Sequence, residues 1–473
     1  MQKGNSPMFH MTSTPVGDAR LSGKGGRRPP GPAWHTFAQN TRRLMQDGPG
    51  FLLEMRERYG DVVRVPILLG SFTAVFHPDG VRHLLQENHL NYGRDVPDYH
   101  VLRPVLGNGL VTSDGKLWRR QRRLMQPAFH RQRLLALADL MTTTTLERMA
   151  QWETAGFLGT GRPLALTQEM TALTLRIVGK ALFGIDLSAE VARIGQALTT
   201  LNHVLSEALY QPWLLFLPTP HRHRLNVARC ALSTVVEQMI GARRSIPDHD
   251  DLLALLLQAQ DEETGEGMTD EQVRDEVMTL LLTGLEPIAN TLSWTFFLLS
   301  KHPEMQGHLR KEYQEVLKGR PPTVEDLTQL PLTRMVIEEA LRLYPSSWGF
   351  SRRAHEEDTI GGYRIPRGSF VLVSAYVTHH HPALWERPDA FDPERFSAER
   401  SATRPRFAFF PFGGGPHQCI GNQFALIEAQ LILATILSHY HVQLLSATVV
   451  APDPLLTLRP REEIWVTVNS TQI

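Results

Sequence analysis

Apolar residues recur at helical spacing over most of the chain. Between about residues 79 and 318 they form long periodic segments, separated by short polar or proline-bearing breaks. The clearest segment begins after Thr269, which can cap a helix while Gln272 answers from its third position, and it ends at His302. This span of about thirty residues is nearly apolar in its second half, which predicts a helix buried through the middle of a domain.

Shorter patterns predict the remaining elements. A helical stretch contains Phe51 to Tyr59, a second helix, LTRMVIEEALRLY, ends at Pro345, and a third, FALIEAQLILATIL, lies near the C-terminus. The segments DVVRVPILLG and SFTAVFH, which meet at Gly70 and Ser71, predict a β-hairpin. The segment DTIGGYRIPRGSFVLVSAYV alternates and turns like a strand pair. The fold class that follows is mainly α with small β-sheets (α+β).

One domain accounts for this pattern. The first 28 residues are polar, basic and rich in glycine and serine, and we predict a disordered tail over residues 1–28. Order is expected to begin with PPGP, residues 29–32, and neither an internal repeat nor a low-complexity linker divides the rest. We therefore expect a single domain over residues 29–473.

Composition narrows the class of protein. Lys and Arg together number 49, as do Asp and Glu, and this neutrality argues against nucleic-acid binding. The two cysteines, Cys230 and Cys419, lie far apart and give no disulfide pattern, which favours a reducing, cytoplasmic location. No run approaches the roughly 20 apolar residues that a membrane-spanning helix needs. We expect a soluble monomer.

A glycine-rich turn presents Cys419. The segment FPFGGGPHQCIG, Phe410 to Gly421, precedes a predicted helix, whose free N–H groups would point toward the sulfur. Gly413 to Gly415 allow the backbone to approach a flat ring closely, and Phe412 can cover one side of the sulfur. This arrangement favours a thiolate that binds the iron of a haem. Cys230 lies in a helical stretch without such partners and is interpreted as a packing residue.

Further motifs accompany this loop in a fixed order, and together they resemble the cytochrome P-450 family from about Pro29 to the C-terminus. The matching positions are Trp118 and Arg122, Glu339 to Arg342, Pro393 to Phe396, and Phe412, Gly415, His417, Cys419 and Gly421. The resemblance implies one haem b, held between the long helix and the helix after the cysteine loop, with Cys419 as the iron ligand. It also implies a haem-thiolate monooxygenase of the soluble bacterial type.

The resemblance assigns residues around the cofactor. Trp118 and Arg122 lie four apart on one predicted helix face and would both donate to a haem propionate. Arg353 is preferred to Arg352 as a further donor. The cofactor-binding set that we predict is Cys419, Trp118, Arg122, Arg353, His417, Phe412 and Gly415.

Other charged or titratable groups are interpreted as structural. By resemblance, Glu339, Arg342 and Arg395 would form a buried cluster that fixes the chain leading to the cysteine loop. The consecutive histidines 379–381 cannot share the face that metal ligation requires and are interpreted as irregular, solvated chain. The arginines at 119, 120 and 123 are either a solvated face or a docking surface for an acidic electron-transfer protein.

The long helix departs from the family at one position. By resemblance it should carry an acidic residue followed by threonine, which handle water and protons during dioxygen activation; here Glu286 is followed by Pro287. Proline removes the hydroxyl and clashes with the carbonyl of Thr283, so a kink is expected. Either the proline only fixes a bend while Glu286, Thr283, water or a substrate hydroxyl relays protons, or the enzyme uses peroxide or performs a rearrangement. Glu286 and Thr283 are the catalytic candidates.

The implied reaction is insertion of one oxygen atom from dioxygen into a lipophilic molecule such as a fatty acid, a terpenoid or a steroid-like compound. Electrons would come from a separate ferredoxin or flavodoxin-type donor, and a non-catalytic haem-binding sensor is the alternative from another class. Arg94 and Arg103 are candidate anchors for a substrate carboxylate. The implied pocket segments are Tyr92 to Gly109, Leu205 to Leu217, Leu282 to Ile288, Ser346 to Phe350 and Pro454 to Thr457, with aromatic walls from Trp213, Phe216, Trp348 and Phe350.

Overall fold

The computed structural model describes residues 26–245, 251–261, 265–445 and 450–470. Most of the predicted tail, residues 1–25, lies outside the described residues. Arg27 forms a β-bridge with Tyr363, and its carbonyl accepts a hydrogen bond from the N–H of Arg364 at 3.0 Å. Contacts with the body of the protein therefore begin slightly before Pro29.

Helices make up most of the described chain. Their bounds are α1 Phe37–Tyr59, α2 Pro78–Arg82, α3 Pro97–Leu106, α4 Gly115–Met125, α5 Arg131–Ala136, α6 Ala138–Thr154, α7 Leu166–Phe183, α8 Val191–Tyr210, α9 Trp213–Phe216, α10 Pro220–Arg244, α11 Leu252–Gln258, α12 Asp270–Lys301, α13 Pro303–Leu317, α14 Pro331–Leu343, α15 Ala375–His379, α16 Ala398–Ser401 and α17 Asn422–His439. Within the described ranges, none of these helices is long and apolar enough to cross a membrane.

Short strands form small sheets beside the helices. Their bounds are β1 Val62–Ile67, β2 Gly70–Val75, β3 Tyr92–Gly93, β4 Leu164–Ala165, β5 Phe350–Ala354, β6 Asp358–Ile360, β7 Tyr363–Ile365, β8 Phe370–Val373, β9 Tyr440–Leu444, β10 Pro452–Pro454, β11 Leu458–Pro460 and β12 Trp465–Ser470. One sheet has the order β1-β2-β8-β5-β3, with only β2 and β8 parallel among its described neighbours. The others are β4-β12-β9, β10-β11 and β6-β7. The predicted hairpin is β1 and β2, and the predicted α+β class is confirmed.

The long helix α12 has the start and the burial that the sequence predicts. Thr269 Oγ1 accepts from the N–H of Gln272 at 3.2 Å, and Gln272 Oε1 accepts from the N–H of Thr269 at 3.0 Å, so both halves of a capping box are present. In its second half, Trp294, Phe296 and Leu299 are fully buried. The helix packs against α7, α14 and α17. It therefore forms the centre of the main apolar core, where each large side chain contributes roughly 1.5–3 kcal/mol of burial free energy.

A buried ion pair fixes the segment that leads into the cysteine loop. Arg342 of α14 donates from Nε and Nη2 to the two carboxylate oxygens of Glu339 at 2.6 and 2.7 Å, and neither side chain is exposed. Arg342 also donates to backbone carbonyls of residues 379, 388 and 390 at 2.9, 2.6 and 3.1 Å. Arg395 approaches Glu339 at 3.5 Å. The predicted structural cluster is confirmed.

The histidines at 379–381 are buried, so the interpretation of this stretch as solvated chain is wrong. His379 Nε2 accepts from the N–H of Phe410 at 3.0 Å, and His381 Nε2 lies 3.0 Å from Asp61 Oδ1. Burial lowers the pKa of His379 far below its usual range and that of His380 to about 4, so both rings are neutral at pH 7. The prediction of irregular chain holds from residue 380 onward, whereas His379 ends α15, and packing beside the charge cluster keeps all three side chains out of solvent.

We predict that Arg342→Leu destabilises the protein strongly. The substitution leaves the buried Glu339 carboxylate without the cation that hydrogen-bonds to both of its oxygens, which costs about 3–5 kcal/mol in free energy of unfolding. Denaturant titration followed by circular dichroism measures the loss. Arg334→Leu is the matched control on the same helix, because its pair with Glu338 is half-exposed and 3.9 Å long; we expect a loss below about 1 kcal/mol. Equal losses in the two variants would contradict the assignment.

Candidate functional site

A cavity of about 600 Å³ has both α12 and the cysteine loop in its wall. Cys419 borders it, as do Thr283 and Pro287 of α12. Its volume is in the usual range for small-molecule sites. Each predicted pocket segment contributes to the wall, including Trp348 and Phe350. The predicted aromatic walls at 213 and 216 are wrong, because these side chains are 40% and 75% exposed on α9 and do not border the cavity.

The two cysteines lie in different settings. Cys230 is exposed on α10, so its interpretation as a packing residue is wrong. Cys419 is also accessible, but it lies deep in the protein where it borders the cavity, and its N–H donates to the carbonyl of Phe412 at 3.0 Å, which closes the turn. Burial raises the pKa of the Cys419 thiol, while the N–H of Gly421 and the guanidinium of Arg122 oppose that rise. A bound metal cation would complete the stabilisation of a thiolate here.

Glycines shape the turn in two ways. Gly413 has φ of 69° and borders the cavity, where a side chain would narrow the space beside the sulfur. Gly415 has φ of 66°, and a Cβ there would overlap the carbonyl oxygen of Leu85 in a π-helical turn, His83–Glu87. Gly415 does not border the cavity. Its place in the predicted cofactor-binding set is therefore indirect, since it lets the cysteine loop pack against this turn.

Trp118, Arg122 and His417 come together in the cavity wall. The ring centroids of Trp118 and His417 are 3.8 Å apart, and Arg122 Nη1 donates to the carbonyl of Gln418 at 2.9 Å. Burial, reinforced by nearby arginines, lowers the pKa of His417 to about 2, so its imidazole is neutral. Its buried Nδ1 has no hydrogen-bond partner among the described residues. The sequence placed these three side chains together correctly.

Arg352 faces the cavity, whereas the predicted Arg353 does not. Arg352 is 5% exposed, borders the cavity and donates from Nη1 to the hydroxyl of Tyr99 at 2.6 Å. Arg353 pairs with Asp95 at 2.6 Å, and its side chain is 42% exposed. Both arginines lie on β5, where successive side chains point to opposite faces. The preference for Arg353 is wrong, and strand alternation from Phe350, already predicted to line the pocket, would have selected Arg352.

Arg94 is a further cation in the wall. It is 7% exposed and donates from Nη1 to the carbonyls of Leu110 and Val111 at 2.9 and 3.1 Å. Burial lowers its pKa to about 10. The sequence suggested Arg94 and Arg103 only as anchors for a substrate carboxylate, and Arg103 does not border the cavity. The position of Arg94 follows from the pairing of β3 with β5, which no local pattern in the sequence indicates.

These groups fit a flat anionic cofactor that carries a metal. Among the described residues, none of the guanidinium groups of Arg94, Arg122 and Arg352 has a carboxylate within 4.0 Å, although all three residues border the cavity. Arg94 Nε and His417 Nδ1 are buried without hydrogen-bond partners in the described chain. Unmatched cations and orphaned nitrogens of this kind are satisfied by an anionic ligand, and two carboxylates would suit them. A haem supplies two propionates, together with an iron for the Cys419 sulfur.

Comparison with known proteins decides the family. Residues 29–466 match the protein-family model described as cytochrome P-450. The chain belongs to the cytochrome P-450 family. Haem is therefore its cofactor, and the protein is an oxidoreductase of the monooxygenase type, as the sequence predicted.

Relatives with named activities cover most of the chain. The chain is 38% identical to a protein named cyclooctatin synthase from Streptomyces melanosporofaciens over 88% of its length and 90% of that protein. It is 38% identical to cyclooctat-9-en-7-ol 5-monooxygenase from the same organism, over 81% of the chain and 83% of the relative. Pentalenene oxygenase of Streptomyces avermitilis is 34% identical over 90% and 96% of the two chains.

Pro287 lies within α12 without interrupting it. The helix is continuous from Asp270 to Lys301, so the expected kink does not break it. The carbonyl of Pro287 accepts from Thr291 Oγ1 at 2.7 Å and from Ser346 Oγ at 3.1 Å. Thr283 borders the cavity one turn earlier, with its hydroxyl donating to the carbonyl of Thr279 at 2.7 Å. A hydroxyl is therefore still present in the cavity wall contributed by this helix.

Glu286 is held on both oxygens. Asn202 Nδ2 of α8 donates to Oε2 at 2.6 Å, and Thr457 Oγ1 donates to Oε1 at 2.7 Å. All three residues border the cavity. The predicted catalytic carboxylate is thus tied to α8 and to the loop between β10 and β11.

The arginines beside Trp118 make intramolecular contacts. Arg120 donates from Nη2 to the carbonyls of Glu266 and Gly267 at 3.1 and 2.7 Å. Arg123 Nη2 pairs with the buried carboxylate of Asp261 at 2.6 Å. Two of the three arginines therefore fix the chain before α12, a role that neither sequence interpretation included. Arg119 is exposed.

Neighbouring carboxylates of α12 hold the loop after α3 against the cavity. Asp275 Oδ2 accepts from the N–H of Asn108 at 2.8 Å, and Glu276 Oε2 accepts from the N–H of Leu110 at 3.0 Å. Glu276 is fully buried, and its Oε1 has no partner among the described residues. Burial, with a smaller contribution from Asp275, raises the pKa of Glu276 to about 8. This carboxyl is therefore protonated over much of the neutral range.

We predict that Arg352→Leu weakens haem binding and that Arg353→Leu does not. Loss of a charged donor to a propionate costs about 1.5–3 kcal/mol, which corresponds to roughly 10- to 100-fold faster haem loss at an unchanged association rate. Haem transfer to an excess of a haem-scavenging protein, followed by absorbance, measures the rate. The two residues are adjacent on one strand, so general damage to β5 would affect both variants. Haem loss from Arg352→Leu that is equal to or slower than loss from Arg353→Leu would contradict the assignment of Arg352 to a propionate.

We predict that Glu276 makes the protein less stable as pH rises. Its pKa is higher in the folded chain than in the unfolded chain, so its stabilising contribution is complete below about pH 4.5 and is lost as pH approaches 8. The loss in free energy of unfolding is at most about 1.4 kcal/mol per pH unit. Glu276→Gln should therefore gain stability relative to the parent between pH 5 and 8 in denaturant titrations. Glu271→Gln, at an exposed position of α12, should show a constant difference across the same range.

Proposed function

We propose that the protein is a monooxygenase that inserts one oxygen atom from dioxygen into a terpenoid. The observation that carries the proposal is one mainly apolar cavity whose wall holds the thiol Cys419 together with unpaired arginines. Relatives of 34–38% identity are named for oxidation of an unsaturated hydrocarbon, pentalenene, and of an unsaturated alcohol, cyclooctat-9-en-7-ol. Of the lipophilic substrate classes that the sequence suggests, a terpenoid best suits the names of these relatives and the apolar wall of the cavity.

Each residue around the cofactor would have a separate role. Cys419 would bind the haem iron, and a thiolate ligand favours cleavage of the O–O bond when haem is bound. Arg94, Arg122 and Arg352 would neutralise the propionates, with donors from Trp118 and His417 beside them. Phe412 borders the cavity beside the sulfur and would limit access of water. Electrons would come from a separate ferredoxin or flavodoxin-type protein.

Thr283 is the better candidate for handling protons. Its hydroxyl donates to Thr279 and keeps its acceptor lone pairs, and its side chain is exposed to the cavity. Glu286 has a donor on each oxygen and would have to leave Asn202 or Thr457 to move a proton. We propose that Thr283, with water, replaces the missing hydroxyl at position 287. The relatives' names as synthase, monooxygenase and oxygenase favour an enzyme over a haem-binding sensor.

We predict that turnover with ¹⁸O₂ and a reductase system places one labelled oxygen in the product. Thr283→Val should lower product formed per reductant consumed by at least about tenfold, since loss of a side chain that takes part in proton transfer typically costs ~10²–10⁴ in rate. Mass spectrometry of product and measured reductant consumption check both expectations.

Thr295→Val is the matched control. Its hydroxyl also donates to a carbonyl four residues earlier on α12, at 2.7 Å, but it does not border the cavity. We expect unchanged coupling in this variant. Unlabelled product, or faster turnover with peroxide alone than with dioxygen and reductase, would favour the peroxide-using alternative that Pro287 raised.

A further inference from the structure

A cluster of hydrogen-bonding side chains lies in the mainly apolar wall of the cavity. Its members are Asn202 and Ser206 of α8, Glu286 of α12 and Thr457 of the β10–β11 loop, and all of them border the cavity. Asn202 and Ser206 are one turn apart on the same helix face. Around them α8 contributes Leu201, Leu205 and Leu209 to the wall. A polar cluster in such a wall fixes the orientation of a ligand, because any ligand group placed there must satisfy it.

The cluster retains unused hydrogen-bonding capacity. Each oxygen of Glu286 has one protein donor, from Asn202 and from Thr457, whereas a carboxylate can accept about four hydrogen bonds in all. The buried hydroxyl of Ser206 has no partner among the described residues. The cluster can therefore accept a further hydrogen bond at Glu286. A hydroxyl group is the simplest uncharged ligand group that donates one.

The negative charge of Glu286 disfavours a substrate carboxylate at this cluster. A carboxylate on the substrate would lie beside the carboxylate of Glu286, and like charges at about 4 Å repel strongly in a partly buried site. The cations of the wall, Arg94, Arg122 and Arg352, are the groups that fit the haem propionates and are not part of this cluster. A fatty acid would therefore not place its head group here. An alcohol carries no such penalty.

We propose that Glu286 is a specificity-determining residue that anchors a hydroxyl group already present on the substrate. The proposal rests on the terpenoid oxidation proposed above and narrows it to an oxygenated substrate. The reaction that supplies this substrate must then be one that leaves an alcohol on the carbon skeleton, such as an earlier hydroxylation or the capture of water during ring formation. The present enzyme would add its oxygen atom at a second position.

Binding to the haem-loaded protein tests the proposal without turnover. The spin-state shift of the haem is titrated with three compounds that share one polycyclic terpene skeleton: the hydrocarbon, its monohydric alcohol and the corresponding carboxylic acid. We expect the alcohol to bind the parent protein about tenfold more tightly than the hydrocarbon, as one hydrogen bond to a charged acceptor suggests. We expect the acid to bind more weakly than the alcohol.

Substitutions then test whether the Glu286 carboxylate causes the preference for the alcohol. In Glu286→Gln, which keeps the shape of the side chain, the alcohol preference should fall to about twofold or less and binding of the acid should improve by about tenfold. Asn202→Leu, on a separate helix, should also reduce the alcohol preference and covers the case in which Glu286→Gln folds poorly. Thr291→Val is the control, because it removes a cavity-bordering hydroxyl outside the cluster; its alcohol preference should match that of the parent.

Three results would overturn the anchor. Equal binding of hydrocarbon and alcohol to the parent, or an unchanged preference in both Glu286→Gln and Asn202→Leu, rejects the anchor and leaves terpenoid oxidation standing. A parent protein whose spin state responds to none of the three compounds rejects the terpenoid substrate and the anchor together.

Discussion

Arg342 connects the core of this protein to the cysteine loop. Its guanidinium satisfies the buried carboxylate of Glu339 and three backbone carbonyls, one at the end of α15 and two in the irregular chain that follows. The carbonyl at the end of α15 belongs to His379, whose ring in turn accepts the N–H of Phe410, the first residue of the cysteine loop. A series of directional bonds therefore runs from α14 to the start of the cysteine loop. The irregular chain needs these bonds because it has no helix or sheet to pair its own backbone groups.

The cavity separates two kinds of polar group within one apolar wall. Arginines whose guanidinium groups have no carboxylate partners line the cavity together with Cys419 and His417. Glu286 is instead hydrogen-bonded to Asn202 and Thr457. An anionic cofactor suits the first set and a neutral hydroxyl suits the second. Burial explains both, because groups that are removed from water require partners of defined charge. The same protein interior can therefore orient a cofactor and discriminate between substrates without sharing residues between the two tasks.

Prediction from the sequence was most accurate for features that depend on residues close together in the chain. The capping box at Thr269, the apolar half of α12 and the glycine turn at Cys419 depend on residues a few positions apart, and the structure has all three. The errors arose where distant segments meet. His379 is buried where Arg342 donates to its carbonyl. Arg94 borders the cavity because β3 pairs with β5. Arg353 was an avoidable error, since alternation along a strand is itself a local rule.

The alternation of side chains along β5 limits which sequence changes can accumulate in this strand during evolution. Arg352 and Arg353 differ only in the face of β5 on which they lie, one toward the cavity and one toward Asp95 and solvent. A deletion or insertion of one residue within this short strand would exchange the two faces and direct Phe350 and Arg352 away from the cavity. Substitutions along the strand can be neutral, whereas length changes cannot. We expect natural length variation around this region to fall in the turns that flank β5 and to spare the strand itself.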